Sequence, residues 1–141
     1  MVLAVLPLAL GLVTATAVAT VYTYLWDGGG STDDWDVWQN WDFDCPLPPP
    51  QQCNYTSYPD DTEDNAIFLI NGSLTVQLTT ESIRTLQVGA ASGATNASLT
   101  FESQDSANTV TCTQFKVKGP LHENGNFTEF KVRDGAKIQT N

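Results

Sequence analysis

The 141 residues leave room for one domain plus an accessory segment, and the net charge of −10 is unevenly spread along them. Residues 1–83 hold eleven acids and no base, whereas from Arg84 onward five acids meet six bases. With no basic patch for phosphates and no polybasic cluster for anionic headgroups, nucleic acid is excluded as a partner, as is electrostatic docking on lipid.

Val2 to Trp26 carries no charged residue. As an α-helix it would be roughly 36 Å long at about 1.5 Å per residue, enough to cross a bilayer. Three readings compete. In a secretory signal peptide, Leu3 to Val13 would be the apolar core and Ala17-Val18-Ala19 the cleavage site, but the basic start is missing. In a plain membrane anchor, Tyr22, Tyr24 and Trp26 would sit at headgroup level, yet no Lys or Arg flanks either end to orient it. In an assembly helix, Gly11, Ala15 and Ala19 form a small-residue ridge that lets helices approach closely. Leu6, Leu10, Val13 and Val21 make the remaining sides apolar too, so such a helix must be buried all round by lipid or by its own copies. Pro7 falls in the second turn and could kink the start. Thr14 to Tyr24 also alternates and is β-branched, which leaves a strand open for the far half. Residues 1–26 are expected to be a hydrophobic helix.

Residues 27–64 read as a linker rich in Gly, Trp, Pro and Asp. Gly28 to Ser31 reads as a flexible hinge. Trp35, Trp38 and Trp41 recur every three residues, which would align the indoles on one face of a helical turn. They are candidate aromatic contacts for a sugar or a neighbouring subunit; the plainer reading is a cluster gluing the linker to the domain. Thrombospondin type 1 repeats have a similar ladder, but their cysteine framework is missing here. The acids Asp27, Asp33, Asp34 and Asp36, and again Asp60, Asp61, Glu63 and Asp64, lack the alternation of a calcium loop and read as solvated turns. No metal and no cofactor is expected. Pro46 to Pro50 reads as an extended spacer.

Cys45, Cys53 and Cys112 are too few and too scattered for a zinc site. In an exported domain they allow one disulfide and one thiol. Cys53 with Cys112 would pin linker to domain; Cys45 with Cys53 would close a proline-stiffened loop. The first pairing is favoured.

Residues 65–141 have a period of two. Ala66 to Ile70 is an apolar run suited to a central strand. Leu74, Val76 and Leu78 alternate with Thr75, Gln77 and Thr79, and the pattern returns at Leu86, Leu99, Val110 and Phe130. A change of phase between Cys112 and Phe115 suggests a bulge near Thr113 and Gln114. Asn71-Gly72, Ser92-Gly93, Gly119-Pro120 and Asp134-Gly135 supply turns. Six to eight short strands with such turns predict an all-β immunoglobulin-like sandwich. Four sequons, at Asn54, Asn71, Asn96 and Asn126, are candidate N-glycosylation sites at turns or strand edges. The lone His122 sits among turn residues, and no acid–base pair has apolar walls to tune it, so no enzyme is expected.

A charge-free aliphatic helix running straight into a β-sandwich resembles archaeal type IV pilins and archaellins, a likeness carried by the layout and by Met1 to Leu25. Family precursors lose a basic leader, which would leave an apolar start such as Met1-Val2. The acidic residue that bacterial type IV pilins carry near the helix start is absent. The resemblance implies a homopolymeric, extracellular cell-surface filament whose subunits wait in the membrane before assembly. The helices would be bundled in its core and glycosylated β-domains would lie outside. The alternative is a secreted or anchored carbohydrate-binding module using the three tryptophans.

Overall fold

Within single strands the side chains alternate as the period of two requires. In the computed structural model, Ala66, Phe68 and Ile70 turn inward along one strand, and Ala97, Leu99 and Phe101 do so along another, while Thr75, Gln77 and Thr100 face out. The structure describes residues 21–44, 56–103, 107–117 and 127–141. In chain order the strands are β1 (Thr23–Trp26), β2 (Trp41–Asp44), β3 (Asn65–Ile70), β4 (Ser73–Leu78), β5 (Glu81–Ala90), β6 (Ala97–Ser103), β7 (Thr109–Val117), β8 (Phe127–Val132) and β9 (Lys137–Thr140). A 3-10 turn, Trp38–Asn40, precedes β2, and no α-helix occurs among the described residues.

Successive strands do not pair. From β3 onward the chain alternates between two sheets, ordered β2-β1-β3-β5-β7-β9 and β4-β6-β8. Every neighbouring pair is parallel except β1 with β2. The chain therefore winds as a two-sheeted coil. Asn65 lies beside Thr85 and Thr85 beside Gln114; in the second sheet Ser73 lies beside Ser98. Each coil takes roughly 20–30 residues, the spacing of a solenoid repeat.

This overturns the expected immunoglobulin-like sandwich, which needs antiparallel neighbours. The cause is visible at Asn71-Gly72. Gly72 has φ +90°, but the turn carries the chain around a corner from one sheet to the other instead of folding a hairpin back on itself. An irregularity does fall near Thr113 and Gln114: the pairing of β5 with β7 skips Arg84 and Thr113, the inward positions step from Ile83 to Leu86 on β5, and the N–H groups of Arg84 and Thr85 both donate to the Asp64 carbonyl. A second irregularity lies between Ala97 and Ser98 against β8.

The core is the space between the sheets, filled by like residues stacked on successive rungs. Val76 stands beside Phe101, Leu74 beside Leu99, and Ala66 beside Leu86. Burying each large side chain contributes about 1.5–3 kcal/mol. Aromatic rings close one end. Trp35, fully buried, meets Trp41, Phe68 and Phe101 at centroid distances of 5.0, 5.7 and 6.2 Å.

The expected helix, residues 1–26, lies outside the described residues up to position 20, as do Leu6, Leu10, Gly11, Ala15 and Ala19. Its far end is corrected: Thr23–Trp26 is a strand, paired with β3 on one side and β2 on the other. Residues 23–44 therefore belong to the β-domain, and Val21 lies two residues before its first strand.

Candidate functional sites

The turn-rich stretch between β1 and β2 is built around Asn40. This side chain is fully buried, and its Oδ1 accepts the Gly30 N–H at 2.8 Å. Its Nδ2 donates to the carbonyls of Thr32 and Asp34 at 2.7 and 3.0 Å, and its backbone carbonyl accepts the Asp27 N–H. An added Cβ on Gly30 would come within 2.5 Å of the Asn40 oxygen, so this glycine is required for close packing. The expected flexible hinge at Gly28 to Ser31 is thus a fixed cap. Asp34 also bridges to Gln77 in β4, so residues 33–35 cover the first rung of the second sheet.

The three tryptophans do not share a face. Trp35 and Trp41 are buried and packed edge to face, with their indole N–H groups on the carbonyls of Pro59 and Trp35 at 3.0 and 2.8 Å. Only Trp38 is exposed, at 40%. Two indoles thus glue the cap to the core, which is the plainer of the two readings, and one remains on the surface as an aromatic contact candidate. Beside Trp38 runs an open cleft of about 350 Å³ lined by Asp27, Gln39, Trp41, Asp42 and Phe43.

A second open cleft, of about 410 Å³, lies between Tyr22, Tyr24 and Ser57 on one side and Asp60, Asp61, Glu63 and Asp64 on the other. Asp64 departs from the solvated turn expected for this stretch, because it is only 2% exposed. Its Oδ2 accepts the N–H groups of Asp60 and Asp61. Burial pushes its carboxyl up to about 6 against the lowering effect of those bonds, and the charges of Asp60 and Asp61 push the same way. Burial likewise raises Tyr24 and Glu81, the latter partly offset by the Thr79 hydroxyl. Among the described residues no group of His, Cys, Asp or Glu is placed to hold a metal ion.

Asn71 and Asn96 are both exposed, each two residues before a serine, and those serines are register partners joined Oγ to Oγ at 2.9 Å. The two sequons therefore occupy equivalent corners of adjacent coils. On the next coil Ser98 stands beside Glu129, and Thr128, at the register shift, donates its hydroxyl to the Ala97 carbonyl. Asn54 and Asn126 lie outside the described residues.

Cys112 is a free thiol, 1% exposed, pointing into the core from β7. From the sequence this thiol is the expected partner of Cys53. Cys45 and Cys53 lie outside the described residues.

Asn40 and Asp64 are the two buried polar side chains that organise these regions, and sequence reasoning missed both. A signal existed for Asn40, one of two polar residues between Trp38 and Trp41, but only packing identifies it as a hub. Set against known proteins, the chain matches no family model, no curated protein and no solved structure.

Proposed function

We propose that the chain is a non-catalytic structural subunit of an extracellular, cell-surface filament. The charge-free residues ahead of β1 hold identical copies together after leaving the membrane, and the coiled β-domain forms the outer layer with N-linked glycans on its corners. The observation that supports this best is the coil itself. Parallel rungs stack along one axis, present short Ser and Thr side chains outward, and carry an exposed sequon on each of two adjacent corners. Such a domain is a stiff spacer, suited to a sheath. The resemblance to archaeal pilins enters only through the hydrophobic segment, since the fold of the domain differs from theirs.

The test is electron microscopy of the purified full chain after detergent removal. Filaments of uniform width are expected, with Met1 retained on N-terminal sequencing. Soluble single copies that begin at Thr20 and bind glycans would contradict the reading and favour the carbohydrate-binding alternative.

A further inference from the structure

The two ends of the coil differ in finish and in charge. At the first end, residues 27–41 form the cap built on Asn40, and Trp35 plugs the core beneath it. This cap and the outermost strand β2 carry Asp27, Asp33, Asp34, Asp36 and Asp42, with no basic residue among positions 21–44. At the other end, β9 borders β7 on one side and β8 borders β6 on one side, so each leaves an open strand edge. β9 covers only Thr109 to Cys112 of β7. Beyond it Val117 is 49% exposed, and Val132 of β8 is 40% exposed. No cap comparable to the first covers this rung among the described residues. Four of the six basic residues stand on it, Lys116, Lys131, Arg133 and Lys137. Lys131 is paired with Glu129, whereas Lys116, Arg133 and Lys137 are exposed and form no ion pair among the described residues.

We infer that the open end of one copy docks on the acidic cap of the next, a second copy of this chain being the partner. Charge complementarity argues for it, because a rung on which Lys116, Arg133 and Lys137 outnumber the exposed Asp134 faces a cap that holds carboxylates alone. Chemistry at the receiving site argues the same way. The Trp38 cleft combines an exposed indole with the carboxylates of Asp27 and Asp42, a combination that takes a lysine or arginine side chain over an aromatic face. Strand direction permits it as well: β9 runs parallel to β7 and β2 runs antiparallel to β1, so β9 would meet the next copy's β2 as an antiparallel neighbour in one continuous sheet. The contact is head to tail and leaves a free end at each step, so it extends without closing. It stands apart from the filament reading above, since it uses the ends of the β-domain and not the hydrophobic segment.

The experiment is sedimentation of the full chain in mild detergent, which occupies the hydrophobic segment and leaves the β-domains free. Wild-type chain is expected to form a concentration-dependent ladder that weakens at least about tenfold between about 50 and 500 mM NaCl. A cap variant, Trp38→Ala with Asp42→Lys, and an end variant, Arg133→Glu with Lys137→Glu, are each expected to stay monomeric. Mixed one to one, they retain one good surface each and should stop at the dimer. Wild-type chain that stays monomeric at low salt would overturn the inference, as would variants that build the same ladder. A monomer whose β8 and β9 amides resist hydrogen exchange would overturn it too, by showing the rung covered within its own chain. Variants that build the wild-type ladder in detergent and also form filaments once it is removed would overturn the docking and leave the filament reading standing.

Discussion

Trp35 and Trp38 carry the same side chain three residues apart, and their environments make opposite predictions. Truncating the buried Trp35 to alanine empties the end of the core and strands the Pro59 carbonyl, so Trp35→Ala should cost about 3–5 kcal/mol in urea unfolding. Trp38→Ala should stay within about 0.5 kcal/mol of wild type. Equal losses would contradict this placement. Asn40→Ala removes three hydrogen bonds to part-buried backbone groups and opens a hole in the cap, and should cost about 2 kcal/mol in the same assay. Asp64 sets a pH dependence. Its folded-state carboxyl titrates near 6, above the usual aspartate value, so folding takes up a proton as the pH falls. Its contribution to stability should therefore grow from about pH 7 down to about pH 4, and shrink as the pH rises through 6. Asp64→Asn keeps an acceptor for the Asp60 and Asp61 amides and should flatten that slope in unfolding curves. At Cys112 burial raises the thiol, so a thiol reagent should label it only after denaturation. Which residue takes which role was not legible in the sequence. Tryptophan spacing cannot tell which ring faces the core, and an aspartate among aspartates looks solvated until its backbone partners are known.

Single strands were far more legible than their partners. Inward and outward residues of β3, β4 and β6 follow directly from alternation, because a pleated strand has no other choice. Alternation says nothing about which strand lies alongside, and turn signals favoured hairpins. A repeat was present all the same. Asn71-Gly72-Ser73-Leu74-Thr75-Val76 and Asn96-Ala97-Ser98-Leu99-Thr100-Phe101 lie on adjacent rungs residue for residue from Ser73 and Ser98 onward. A sequon read only as a glycan signal hides this second role, in which the hydroxyl two places on joins a ladder between coils. The stacking has a consequence for modification. Neighbouring strands lie about 4.8 Å apart, so glycans on Asn71 and Asn96 would compete for one space. Glycopeptide mass spectrometry should find chains carrying either glycan far more often than both; frequent double occupancy would contradict the adjacent-corner placement.

Over the whole molecule, the uneven charge noted in the sequence becomes an axis: an acidic cap at one end of the coil and unpaired cations at the other. The asymmetry was legible, but its direction was not, because only parallel winding turns order along the chain into order along an axis. An antiparallel sandwich would have mixed early and late strands and blurred both ends. The filament proposal and the end-to-end docking both use this winding, and it can be tested through one pair of positions. Ser73 and Ser98 are exposed register partners on adjacent coils. Ser73→Cys with Ser98→Cys should therefore oxidise to a disulfide between positions 73 and 98 in the native full chain, identified by peptide mapping, with native stability retained. Cysteines there that stay reduced under oxidant, or that link only to other copies, would contradict the parallel coil.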